Sequence, residues 1–362
     1  MSQKPPKPTR WIAANQELSA IVSHDAVMTD GFGGVVEVKR KGLVKHAGCY
    51  ELNEAYVASL IPKPVLLADD PYSRKAVCLT HWRRPVLTAS MGKVLRAWPK
   101  ALRASLSTES FEVDDVMVLG GFYSHSNNYF HFWADVLGDL WFLRQCFGDV
   151  GAPQLLLPFQ GLKWQEGILE LCGIPKERVF PLSDITALRA KRLRVAVRAR
   201  GSHVNPPWLV RALREVSGFR PPIQPPHRRI YISRLRAKRR PLKNEAEVIH
   251  ALAQRGFEMI DAGALSVAEQ QTLFSEAAFI VASHGAALTN LAWCDSAAHV
   301  IEFLPDHHGN PCFSDFAEML GMGYHALVCK QDVSAENVIE AGFEVEIGKL
   351  LDWVDDVAKN TF

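Results

Sequence analysis

The sequence predicts an α/β protein of two domains with mostly parallel sheets facing across a cleft, and three observations carry that prediction. Residues from 112 to 197, and again from 229 to 328, alternate short apolar runs with helical segments. Helices of this length between strands imply βαβ units, hence parallel strands. Six of the 21 prolines, Pro206, Pro207, Pro221, Pro222, Pro225 and Pro226, fall between residues 204 and 228. Proline neither donates to a strand ladder nor continues a helix, so a domain boundary belongs there.

In chain order, Gly33–Lys41 and Val65–Ala68 have strand character after a proline-rich start, and the rest of residues 1–110 shows no clear periodicity. Val113–Leu119 reads as a strand closed by Gly120-Gly121. Tyr129–Cys146 reads as an amphipathic helix, because Phe130, Trp133, Leu137, Leu140 and Trp141 fall on one stripe. Gln154–Leu157 and Leu193–Val197 are short apolar strands, with a helix at Trp164–Leu171 between them. A further helix, Leu209–Ser217, sits inside the proline-rich stretch.

The second half is the clearer one. Strands are predicted at Arg229–Ser233, Phe257–Ile260, Ala278–Ala282, Val300–Phe303 and Tyr324–Val328. Helices are predicted at Asn244–Gln254, Ser266–Glu276, Ala286–Leu291 and Ser314–Leu320. The domains are then 1–215 and 216–346. Ile347–Ala358, amphipathic by the spacing of Leu350, Leu351 and Val354, forms a C-terminal helix expected to pack back on the first domain.

Composition narrows the function. A length of 362 residues with 9 Trp and 18 Phe suffices for two cores. Lys and Arg number 41 against 39 Asp and Glu, a net charge of +2, and this balance argues against a nucleic-acid partner. The seven cysteines are widely spaced with no C-x-x-C, as expected of free thiols rather than a disulfide framework or a zinc site. The start lacks the apolar stretch of a signal peptide, and no apolar run reaches the roughly 20 residues that span a bilayer. The expectation is a cytoplasmic protein, with peripheral membrane contact through its basic run as the alternative.

Ligands of open parallel sheets bind beyond the carboxyl ends of the strands, and three such ends carry suitable residues. In Tyr231-Ile232-Ser233-Arg234, the arginine can offer its fork of donors to a diphosphate; a surface ion pair is the plainer reading. In Ala282-Ser283-His284-Gly285-Ala286-Ala287-Leu288-Thr289-Asn290, a strand, a tight turn and a helix start direct backbone N–H groups at an anion. Gly285 lets a phosphate approach the backbone, and His284 adds a donor; a plain turn capped by Ser283 is the alternative. In Val300-Ile301-Glu302-Phe303, a carboxylate inside an apolar strand needs partners, either ribose hydroxyls or an internal cation. The run from Arg234 to Lys243 brings six positive residues, of which Arg239 or Arg240 would complete a phosphate clamp. A solvated face or an attraction to acidic lipids are its other readings.

In the first half, His131 and Asp135 are four residues apart on the predicted helix and share a face. The pair suits a general base held by a carboxylate. A structural role for His131, or a base at Asp135, Asp114, Asp115 or His125, remains open. Asn128 at the helix start is placed to cap the helix. Neither G-x-G-x-x-G, a P-loop, H-E-x-x-H nor G-x-S-x-G occurs, which disfavours dinucleotide, ATP, metalloprotease and hydrolase chemistry.

An ordered set of these residues resembles the glycosyltransferase 61 family. It comprises Asn127-Asn128-Tyr129-Phe130-His131-Phe132-Trp133-Ala134-Asp135, Tyr231–Arg234, Arg239-Arg240 with Asn244-Glu245, Glu269-Gln270, Ser283–Asn290 and Val300–Glu302. The resemblance implies a GT-B architecture of two Rossmann-like domains, with the donor in the C-terminal one. It implies inverting transfer from a nucleotide-sugar, with UDP the expected carrier, to a glycan or other hydroxyl acceptor, and no obligatory metal or cofactor. The adjacent aspartates at 69–70, 114–115 and 355–356 agree, since no D-x-D triplet is present. The donor-binding expectation covers Arg234, Arg239, Arg240, Ser283, His284, Gly285, Ala286, Asn290 and Glu302. His131 and Asp135 are the catalytic pair and Asn128 an acceptor contact. A non-catalytic nucleotide-sugar or glycan-binding protein on the same fold is the competing reading, and a nucleotide-sugar hydrolase or epimerase a third.

Overall fold

A computed structural model describes residues 10–14, 17, 26–33, 35–38, 41–42, 47–60, 75–79, 84, 91–106, 111–120, 127–148, 151–198, 201–202, 205–236, 239–307, 309–331 and 341–361. The readings at Val65–Ala68, His125 and Gly121 lie outside these residues. The chain divides into two compact units. One is drawn from Met1–Val22, Gly42–Ser202 and Pro206–Gly218, the other from Ser23–Lys41, His203–Asn205 and Phe219–Phe362.

The first unit holds a seven-stranded sheet that is mixed rather than mostly parallel. Ala187–Val197, Phe111–Val118, Gln154–Leu157 and Val179–Pro181 run parallel in that order. The 13-residue strand Gly48–Leu60 then pairs antiparallel with Ala187–Val197, Arg10–Ala13 and Lys75–Leu79. Gly48–Leu60 escaped the sequence reading and Ala187–Val197 was read only from Leu193 on, because charged residues interrupt their apolar pattern. Arg189 bridges Glu54 and Glu112, Arg192 meets Asp115, and Arg194 joins Glu51 to Asp115. Opposite charges across neighbouring strands stabilise such ladders. Beneath them Leu52, Val57, Val116, Leu156, Leu188 and Leu193 form the core.

The predicted helix at Tyr129–Cys146 is present but uneven. Tyr129–His131 is α-helical, Phe132–Leu137 is π-helical and Gly138–Phe147 returns to α. It packs against helix Leu209–Val216, where Trp141 stacks on Trp208 at 5.0 Å and donates Nε1 to Glu215 at 2.6 Å.

The second unit is the predicted parallel sheet, with five strands ordered Glu258–Ile260, Arg228–Ile232, Ala277–Ser283, His299–Pro305 and Gly323–Cys329. Each was legible within two residues, most clearly the central strands Ala277–Ser283 and His299–Pro305, which are buried on both faces and read as continuous apolar runs. Helices Glu245–Ala253 and Val267–Ser275 match the prediction, the latter opened by Ser266 and Glu269 in a reciprocal cap. The segment after Ser283 differs: it is a 3₁₀ helix, Ala286–Trp293, not an α-helix.

The C-terminal helix Ile347–Thr361 is a correction. It was expected on the first domain, yet Leu350, Val354 and Val357 join the core of the second unit with Val248, Leu252 and Phe279. Arg255 grips Asp355 through two hydrogen bonds of 2.8 and 2.9 Å. Trp353 donates Nε1 to the carbonyl of Asp30. No helix among the described residues is long and apolar enough to cross a membrane.

Candidate active site

The parallel register brings the three predicted strand ends together. Ile232 lies beside Ala282, Ala282 beside Glu302, and Glu302 beside Ala326. Arg234 therefore emerges next to the turn Ser283-His284-Gly285.

Arg234 is fixed from three sides. Glu245, itself buried, accepts from Tyr231 Oη and Ser233 Oγ at 2.9 Å each and from the Arg234 backbone N–H at 2.6 Å. The guanidinium donates to the carbonyl of His284 at 3.2 Å and to that of Arg239 at 2.6 Å. A methyl group on Gly285 would overlap Arg234 Nη1. The glycine thus gives its space to the arginine rather than directly to a phosphate. Its φ of 176° is ordinary extended backbone, so room and not conformation calls for it.

Arg240 completes the positive centre, with its backbone at φ 51°. Burial, and then the neighbouring charges of Arg234 and Arg239, push it down to about 10, which leaves it cationic at neutral pH. Burial also lowers Arg234, opposed by Glu245 and Tyr231. Both arginines have a buried Nε without a hydrogen-bond partner among the described residues, as does the hydroxyl of Ser283. Arg239 contributes its carbonyl, while its side chain is exposed.

Two expected donor ligands are turned inward. Glu302 is wholly buried and accepts from Tyr324 Oη at 2.6 Å while pairing with His284 Nδ1 at 2.5 Å. Both carboxylate oxygens are thus engaged within the protein, so Glu302 is not offered to a ribose. Tyr324 is raised well above its ordinary range by burial and by Glu302, so it acts as a hydrogen-bond donor. Asn290 is also fully buried. It donates to Gln270 and to the carbonyl of Ala287 and accepts from Trp293 Nε1. Its role is to tie the 3₁₀ segment to helix Val267–Ser275. Ala286 opens that 3₁₀ segment, half-buried beside Gly285.

The first unit holds the other candidate pair. Asn128, in extended backbone, accepts from the N–H of His131 at 3.1 Å and so caps the helix. His131 Nδ1 lies 2.9 Å from Asp135 Oδ2, with the histidine side chain 34% exposed and the aspartate 17%. That exposure allows a substrate to reach the imidazole while its carboxylate stays sheltered. Asp114 and Asp115, the rival bases, belong to the charged ladder: Lys191 lowers Asp114, and Arg192 and Arg194 hold Asp115.

Sequence reasoning missed Arg198. It is 4% exposed and contacts Asp135 and Asp139 from the residue that follows strand Ala187–Val197. An arginine just past an apolar strand is the signal that identified Arg234, and it applied here as well. Among the described residues no group of three or more His, Cys, Asp or Glu side chains is placed to hold a metal ion.

Residues 129–301 match the family model described as Glycosyltransferase 61. That span runs from the first turn of the His131 helix to strand His299–Pro305 and takes in both arginines of the positive centre. Comparison with curated proteins finds no match.

Proposed function

We propose, for a chain that belongs to the glycosyltransferase 61 family and so carries glycosyltransferase activity, an inverting and metal-independent transfer from a UDP-linked sugar to a hydroxyl of a glycan. The observation that carries this reading is the arginine pair. Arg234 and Arg240 are brought together at the ends of a parallel sheet, each with an unpartnered buried Nε–H. Two clustered, partly desolvated guanidinium groups repel one another unless an anion joins them, and a diphosphate supplies charge and acceptors. The first N–H groups of the 3₁₀ segment at Ala286 and the Ser283 hydroxyl add donors beside them.

In this reading the acceptor hydroxyl loses its proton to His131 as its oxygen attacks the anomeric carbon. The bond from that carbon to the diphosphate oxygen breaks, and configuration inverts. With Nδ1–H donated to Asp135, Nε2 is the basic nitrogen of His131. Asp135 then stabilises the imidazolium. Arg234 and Arg240 take up the charge developing on the departing diphosphate, a task that a metal ion performs elsewhere. A GT-B architecture is part of the same proposal, supported by the division of the chain into two compact units. A place in polysaccharide biosynthesis, on the cytoplasmic side and peripheral to the membrane, belongs to the same proposal.

Calorimetry of UDP, GDP, CMP and ATP binding with EDTA present tests the donor centre. Micromolar UDP binding that Arg234→Ala abolishes supports it, and a folded protein that binds none of the four removes it. UDP release from a panel of UDP-sugars, compared with His131→Ala, tests the base. Binding of UDP-sugars without turnover would instead favour a non-catalytic binding protein.

A further inference from the structure

The π-helical turn Phe132–Leu137 is an unusual support for a candidate base, and what fills it is an arginine. Bonding from residue i to i+5 widens the turn. Arg198 donates to two of its carbonyls, Nη1 to Ala134 at 3.1 Å and Nη2 to Asp135 at 3.4 Å, the latter also accepting from the N–H of Gly138. The same Nη2 reaches Asp135 Oδ1 at 3.3 Å, and Nε pairs with Asp139 Oδ1 at 2.5 Å. Asp139 in turn accepts from the N–H of Gly120 at 2.9 Å, anchoring the cluster to the turn after strand Phe111–Val118. Trp208 covers the guanidinium, 5.5 Å from its ring centre. Gly138 makes the close approach possible, since a Cβ there would lie 2.8 Å from Arg198 Nη1.

We infer that Arg198, locked in this π-helical turn, is a positioning residue that fixes Asp135 and, through it, the ring of His131. This rests on the reading of His131 as the base. Asp135 divides its oxygens, Oδ1 to Arg198 and Oδ2 to His131, so the carboxylate cannot rotate without breaking one of two charge-assisted bonds. Two carboxylates and one guanidinium also leave the cluster one negative charge. The imidazolium formed when His131 takes a proton neutralises it. Arg198 therefore sets geometry and limits the negative charge at the site, and touches no substrate itself.

The test uses the full chain with selective ¹⁵N-histidine labelling, the conservative variant Arg198→Lys, and Gly138→Ala, which displaces the guanidinium without removing it. Long-range ¹H–¹⁵N spectra report the His131 tautomer directly. The wild type should show the Nδ1–H form, and both variants a mixture of tautomers. UDP release should fall by about 10- to 100-fold in kcat, the range found for the outer partners of metal-ligating histidines, with KM and UDP affinity by calorimetry unchanged. Wild-type His131 in the Nε2–H form overturns the inference, whether or not the variants fold. So does a folded Arg198→Lys variant with wild-type spectra and kcat. If the tautomer shifts as expected but His131→Ala keeps full turnover, the base assignment fails while the positioning effect stands.

Discussion

Gly285 and Arg234 share one space: the arginine's Nη1 occupies the volume that a side chain at position 285 would need, 3.2 Å from the carbonyl of His284. A residue chosen for absence of bulk thus sets the aim of a residue chosen for charge. Gly285→Ala should leave the fold intact, because the backbone there is extended and open to any residue. It should weaken UDP binding by about tenfold or more, the equivalent of about 1.4 kcal/mol, as the guanidinium moves off its carbonyl partners. Calorimetry on the folded variant measures this, and unchanged affinity would separate Arg234 from the diphosphate.

The inward turn of Glu302 leads to a stability prediction. A wholly buried carboxylate persists only with its partners, here His284 and Tyr324. Tyr324→Phe removes one donor and leaves Glu302 Oε2 exposed to an apolar wall, so urea unfolding should show a loss of about 1–3 kcal/mol. UDP affinity should change far less than in Arg234→Ala. A large loss of UDP binding in a stable Tyr324→Phe protein would return Glu302 to the ligand site.

How far the sequence was legible follows from where charge sits relative to the sheets. In the second unit Ile230, Phe279, Ile280, Val281, Val300 and Ile301 are buried on both faces of parallel strands, and their uninterrupted apolar runs announce the elements. In the first unit Arg189, Lys191, Arg192 and Arg194 alternate with core residues, so most of an 11-residue strand passed unread. Among candidate site residues, Arg234, His131 and Asp135 were chosen by type and spacing, and the structure gives His131 and Asp135 a direct contact. The direction of a side chain did not follow from spacing. Glu302 and Asn290 stand near the turn Ser283-His284-Gly285 but face the interior, satisfied by Tyr324, Gln270 and Trp293. Arg198 carried the same signal as Arg234, an arginine just past an apolar strand, but nothing local marks the π-helical turn that it fills.

The C-terminal helix should behave as part of the second unit's core. Leu350 is wholly buried, and Val354 and Val357 are nearly so. Leu350→Ala should cost about 2–5 kcal/mol by the transfer and cavity terms of a deleted core side chain. Removal of residues 347–362 should prevent the second unit from folding, read as lost protection of Phe279 and Ile301 amides in hydrogen exchange. A truncated chain that keeps this protection and still binds UDP would make the helix an accessory.

Stability should also fall in mild acid through a pair of stacked histidines. His299 and His325 lie 5.9 Å apart at an interplanar angle of 14°, and Trp353 sits 4.4 Å from His325. Burial lowers His299; burial and then His299 lower His325, with Asp356 opposing. Both rings therefore bind protons less readily in the folded protein than in the unfolded chain, whose histidines titrate near 6.5. Where the unfolded state binds more protons, stability rises with pH. The contribution is complete above about 6.5 and is lost progressively as pH drops below that value, because protons are taken up preferentially by the unfolded chain. His325→Phe keeps an aromatic ring against Trp353 and removes one of the two titrating groups. Urea unfolding of wild type and variant at pH 7.5 and at pH 5.5 should show a smaller acid loss in the variant. Equal losses in the two proteins would assign the acid sensitivity to carboxylate pairs such as Arg255–Asp355, whose aspartate is held below its ordinary range by the arginine and stabilises down to lower pH.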